Sequence, residues 1–205
     1  PAMALAALQT DRIAHTTDGD QPHFHAVLRQ DDGTHHACIV KFSDRQTTPT
    51  GRRWADLLRC QHRASQALQS LGVPVATTEL MEADGRCFLT VARVDRTADL
   101  GRRGMVSLRA LGQTLGGAGP TKPGWELAPQ WLREGWIDPR GANAMTLSAL
   151  FAALIGHVAP HDGHLALLTR PVLPWALAPS GPMWPRHWAP QNSGEITHRP
   201  APPLL

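Results

Sequence analysis

Side chains able to do chemistry gather in three places along this chain. Lys41 ends an apolar run at 37–42 (ACIVKF), and the chain's sole other lysine is Lys122. Strand alternation puts Lys41 on one face with Ile39, and Cys38, Val40 and Phe42 on the other. A lone lysine near the end of an apolar strand is ordinarily a solvated edge residue. His157, His161 and His164 form the second group. Their i, i+4, i+7 spacing on one helix face would hold Zn²⁺ with an open fourth position, although Pro160 interrupts a helix through them. Asp162 is the one carboxylate nearby. Trp125, Trp131 and Trp136 are the third group, three rings that could stack on bases or sugars.

Regular elements must position these groups. Asp31, Asp32 and Gly33 read as a hairpin turn between an alternating run (Phe24, Ala26, Leu28) and the strand ending near Lys41. Residues 45–53 read as a polar loop. Trp54, Leu57, Leu58, Ala64, Leu68 and Leu71 recur at helical spacing and predict a helix over 54–71, closed by Gly72 and Pro74. A second hairpin spans 75–92, with its turn at 83–85. Residues 113–141 carry Gly and Pro breakers every few positions and predict a poorly ordered connection with a short helix near 126–134. A helix at 144–155 follows, then Gly156, a polar segment at 157–164 and a strand-like run at 165–168.

Composition sets outer bounds. The 205 residues, 22.3 kDa, suffice for one sizeable core or two small lobes. The net charge is +3, carried almost wholly by arginine, and no basic run exceeds two residues. Direct nucleic-acid binding is therefore not expected. Cys38, Cys60 and Cys87 lack the close spacing of a zinc knuckle, and read as buried thiols in a reducing cytoplasm. No stretch approaches the ~20 apolar residues of a membrane span, and the opening PAMALAALQT lacks the basic start of a signal peptide.

Two long motifs in order carry a resemblance. The first is Leu154, Ile155, Gly156, then His161, Gly163 and Leu165; the second is Leu177, Ala178, Pro179, Met183, Pro185, Ala189 and Pro190. Together they resemble the active-site text of the HipA family of bacterial toxin kinases, in its YjjJ-like branch, which reads roughly L-I-G-N-T-D-x-H-x-G-N-L and L-A-P-x-Y-D-M-L-P-x-x-x-A-P. Upstream, Gly51, Arg53, Trp54, Ala55, Asp56, Leu57, Leu58, Arg59, Cys60 and His62 resemble the family's G-x-R-W-A-D-L-L-R-C-E-H helix. Arg93, Asp95 and Arg96 match its R-F-D-R, and Gly19, Gln21 and Pro22 its phosphate-covering G-x-Q-P-K, with His23 in place of the lysine.

The resemblance implies an α+β, kinase-like fold: a β-rich small lobe at 1–92 and a truncated helical large lobe at 93–205. It implies ATP and Mg²⁺ as cofactors and a protein antitoxin as partner. Lys41 becomes the phosphate lysine, with Gly19, Gln21 and Gln61 around the nucleotide, and Gln61 stands where the family has the glutamate that orients that lysine. The family's catalytic aspartate falls on Ala159, its metal-binding asparagine on His164, and its metal-binding aspartate on Pro182. Phosphoryl transfer needs a base and hard oxygen ligands for Mg²⁺, so the chain is expected to be a catalytically dead pseudokinase remnant. The alternatives are a metal-binding protein using the histidines, or a residually active protein kinase with Asp162 as substitute base. An uncovered apolar patch is expected on 144–155 and 165–168.

Overall fold

The computed structural model describes residues 21–115, 124–157 and 165–190. Four strands open the chain in two hairpins: β1 (His23–Arg29), β2 (His35–Phe42), β3 (Thr78–Ala83) and β4 (Arg86–Ala92). They form an antiparallel sheet in the order β1-β2-β4-β3. The turns obey their residues. Gly33 takes φ +84° between β1 and β2, and Asp84 and Gly85 take φ +51° and +67° between β3 and β4, which a non-glycine residue other than Asn or Asp adopts at a cost.

Helix α1 (Pro49–Ser70) joins the hairpins and starts five residues before the predicted helix. Thr48 caps it, its Oγ1 accepting from the Gly51 amide at 3.0 Å, and Pro49 occupies the first turn, where a missing N–H costs nothing. Leu58 and Ala55 pack on Leu89, Val91 and Cys87 of β4. The opposite face of the sheet buries Phe42, Phe88, Val40 and Cys38 with Phe24 and Leu28 beside them. Cys38 and Cys87 are buried as expected, whereas Cys60 is exposed, which corrects the expectation for that thiol.

The second half is better organised than its glycines and prolines suggest. Strands β5 (Met105–Ser107), β6 (Ala166–Leu168) and β7 (Ala176–Leu177) form a small antiparallel sheet. Helices α2 (Leu108–Leu115), α3 (Gly124–Arg133) and α4 (Pro139–Leu154) pack beside it. Trp131 is 2% exposed, in one core with Leu108, Ile137, Met145 and Leu167. The short helix expected near 126–134 is found as α3, the described part of the connection is better ordered than expected, and with Trp131 buried the three tryptophans make no exposed stacking platform. The breakers fall at element ends: Gly135 takes φ +76° after α3, and Asp138 caps α4 with Oδ1 2.7 Å from the Gly141 amide. The expected apolar patch is smaller than foreseen. Leu165 and Leu167 are buried, leaving Leu150 and Leu154 at 58% and 72% exposure.

Candidate functional site

Lys41 lies near the end of β2, on the face that α1 covers, with Leu89 of β4 as one cross-strand partner and His23 of β1 as the other. Its Nζ donates to Gln61 Oε1 at 3.1 Å. Gln61 is fully buried in α1. Its Nε2 donates in turn to Gln21 Oε1 at 3.0 Å.

The direction of this chain is fixed at one end. An ammonium can only donate, so Gln61 must present its carbonyl to Lys41 and its amide to Gln21. Gln21, 5% exposed, must then present its own Nε2 outward along the chain, and that donor has no partner. Burying an unpaired donor costs about 1–3 kcal/mol. An acceptor supplied by a ligand would remove that cost.

The electrostatics are one-sided. Lys41 keeps some accessible surface, yet its ammonium is densely surrounded, and burial pushes its pKa down to about 8 with a second contribution from the Arg186 guanidinium. Among the described residues, none of the groups acting on it is a carboxylate.

Arg186 begins a short 3₁₀ helix (Arg186–Trp188) that follows the Pro182 loop. The loop is pinned from three sides. Ser180 pairs with 74–76, through Ala76 N to Ser180 O at 2.9 Å and Ser180 N to Pro74 O at 3.0 Å. Trp184 packs on Trp54 of α1 with ring centroids 5.8 Å apart, and Arg186 lies over the other part of that cluster, 5.7 Å from the Trp184 ring. His157 Nδ1 donates to the Trp184 carbonyl at 2.8 Å. Arg53 adds a donor to the Trp188 carbonyl at 3.3 Å.

This placement bears on the histidine triad. Helix α4 ends at Leu154 and Gly156 takes φ +66°, so His157 lies past the helix and not on its face. The other two ligands, His161 and His164, lie outside the described residues, as do Gly19, Ala159 and Asp162. Pro182 is described, and its side chain offers a metal no donor atom. Residues brought together are therefore Lys41, Gln61, Gln21 and Arg186. Sequence reading missed Arg186; its signal was an arginine two residues after buried Trp184, in the motif that carries Pro182.

Comparison with known proteins bears on the whole of this arrangement. No family model matches the chain. It is 31% identical over 198 residues to the Toxin YjjJ of Escherichia coli (strain K12), covering 95% of this chain and 43% of that one. Two solved structures share the fold. One is HipA of Shewanella oneidensis MR-1, from a toxin–antitoxin complex of HipA, HipB and operator DNA, with TM-score 0.53, 20% identity, and coverage of 82% of this chain and 42% of that one. The other is the Helicobacter pylori proinflammatory kinase CtkA, with TM-score 0.52, 15% identity, and coverage of 77% and 51%. The chain thus spans less than half the length of the curated relative. Its α+β fold is kinase-like, and its sequence is similar to Toxin YjjJ across nearly all of its own residues.

Proposed function

We propose that this chain is a pseudokinase: a HipA-like nucleotide cleft that holds phosphate through Lys41 and does not transfer it. One observation carries the reading. The phosphate lysine is oriented by the neutral amide of Gln61 at 3.1 Å, where the resemblance expects a glutamate. A carboxylate would both aim the ammonium and keep it charged, whereas an amide only aims it. Gln21 Nε2 is a buried donor awaiting an acceptor, which suits a phosphate oxygen.

The chemistry of transfer is unsupported by the same comparison. Pro182, at the family's metal-aspartate position, supplies no oxygen, and Ala159, at the base position, cannot accept a proton. ATP fits the residues present; Mg²⁺ does not fit at Pro182. An antitoxin-like protein remains the partner we assign by kinship, and the cytoplasm the compartment, where free Cys38, Cys60 and Cys87 stay reduced.

Thermal-shift titration with ATP tests the reading. We expect ATP to raise the melting temperature equally with and without Mg²⁺, and Lys41→Ala to abolish the shift. A shift that requires Mg²⁺ would favour an active kinase, and one that requires Zn²⁺ in place of nucleotide would favour the metal-binding alternative.

A further inference from the structure

We propose that Lys41 is a nucleophilic amine that captures anionic carbonyl compounds, a phosphate-bearing aldehyde being the type, as an imine. The proposal does not depend on nucleotide binding. It rests on what surrounds Nζ. Its α1 neighbour, Gln61, is uncharged and accepts a single hydrogen bond at 3.1 Å. Its cross-strand neighbours are the apolar Leu89 and the ring of His23, whose Nδ1 sits 3.1 Å from the Gln21 carbonyl. The 3₁₀ helix contributes the positive charge of Arg186. None of these carries the negative charge that would hold the ammonium: Gln61 supplies only one neutral acceptor, and Arg186 opposes the charge.

Two consequences meet at one atom. The amine sheds its proton readily, as its lowered pKa of about 8 agrees, and a neutral –NH₂ can keep donating to Gln61 while its lone pair is available for attack. The hydrogen-bonded run from Nζ through Gln61 ends at the unpaired buried donor Gln21 Nε2, and the Arg186 guanidinium charge acts on Nζ itself; both favour a negatively charged ligand. A compound carrying both an anionic group and a carbonyl satisfies both features.

The step balances without a redox partner. The Nζ lone pair adds to the carbonyl carbon, a C–N bond forms, and the two amine protons leave with the carbonyl oxygen as one water. The C=N product is reversible until reduced.

The chain supplies its own control, since Lys122 is its one other lysine. At pH 7.5 a lysine with a pKa near 8 has on the order of 10² more free amine than one at the ordinary value. The intact chain is treated with pyridoxal 5′-phosphate, reduced with borohydride and mapped by peptide mass spectrometry. We expect labelling at Lys41 to exceed that at Lys122 by at least tenfold. Pyridoxal lacking the phosphate is expected to lose most of that preference. Gln61→Glu, nearly isosteric, restores an anion beside Nζ and is expected to cut labelling at Lys41 at least tenfold. Equal labelling of the two lysines in the unaltered chain overturns the proposal, and so does a folded Gln61→Glu protein that labels as before. Equal preference with both aldehydes overturns the anion requirement.

Discussion

The surroundings of Lys41 and the Pro182 loop depart from the proposed kinase pattern in different ways. Around Lys41 an amide stands where that pattern expects a carboxylate: Lys41, Gln61 and Gln21 form a continuous hydrogen-bonded chain, with distances of 3.1 and 3.0 Å. On the loop, Trp184, His157 and Ser180 hold the backbone in place around Pro182, whose side chain has no donor atom to offer a metal. The difference teaches where fold and function separate. Packing and backbone bonding survive replacement of a carboxylate by an amide or a proline, because neither contact depended on that charge. On the proposed reading phosphoryl transfer would not tolerate it, since positioning and neutralisation of charge are nearly all that step needs from the protein.

The largest test of that contrast is catalysis itself. No phosphate transfer to the chain or to protein substrates is expected, and Ala159→Asp alone is expected to recover none. Losing a general base typically costs ~10²–10⁴ in rate, and groups that act as a unit are not repaired singly. The triple change Ala159→Asp, His164→Asn, Pro182→Asp is expected to make ATP binding Mg²⁺-dependent by restoring oxygen ligands. Robust phosphorylation by the unaltered chain, lost in Lys41→Ala, would erase the difference between the Lys41 surroundings and the loop; radiolabelled ATP assays read it directly.

Next in size is the second-half core, where the sequence was hardest to read. Trp131→Ala removes a side chain that is 2% exposed and is expected to cost about 3–5 kcal/mol. Leu154→Ser, at a position 72% exposed, is expected to change stability by no more than about 0.5 kcal/mol. Urea unfolding of both variants checks the pair. Similar costs at the two positions would mean that Leu154 is covered in solution.

What could be read from the chain divides along a physical line. Hairpins were legible because Asp31-Asp32-Gly33 and Ala83-Asp84-Gly85 are local turn chemistry, and α1 because its apolar residues keep one helical face. The short helix near 126–134 was legible as α3, but α2 and the packing around both were not. Both helices are short, Pro129 lies inside α3, and Trp131 is buried by tertiary contacts with Met145 and Ile137 that no local period announces. Within the site, Lys41 was found from its strand and from family likeness. The burial of Gln61 and its bond to Gln21 were not, because a glutamine on a helix looks the same exposed or enclosed. Arg186 approaches Lys41 across 145 positions of sequence, a proximity that tertiary contacts such as the packing of Trp184 on Trp54 create.

A smaller effect isolates the charge missing beside Lys41. The folded pKa of Lys41, about 8, lies below its ordinary 10.5, so between those values the unfolded chain binds a proton that the folded chain does not. Stability contributed by this group is therefore lowest below pH 8 and rises with pH. Cys87 works the other way: burial raises its thiol from 9.0 to about 11, so above pH 9 the unfolded chain ionises first and stability falls. The window from pH 8 to 9 thus belongs chiefly to Lys41, and the rise across it is expected to be about 1 kcal/mol. Lys41→Met should flatten it, as followed by urea midpoints at the two pH values. A rise that persists in Lys41→Met would assign it elsewhere.

The smallest expected effect compares how the two halves begin their principal helices. Helix α1 is capped by neutral Thr48 and α4 by Asp138, each accepting from the amide three residues on, at 3.0 and 2.7 Å. Neither helix has an acidic residue in its first turn, so each cap is the main local answer to the positive end of its helix dipole. Replacement by alanine is expected to cost about 1 kcal/mol in both cases. Asp138→Ala should be the costlier by a few tenths, because it removes a charge as well as an acceptor. Asp138→Asn separates the two contributions, keeping the hydrogen bond while removing the charge, and should fall between. Thermal and urea melts at low and high salt make the distinction, since screening acts on the charge alone. If salt leaves the gap between Thr48→Ala and Asp138→Ala unchanged, the difference lies in hydrogen-bond geometry and not in charge.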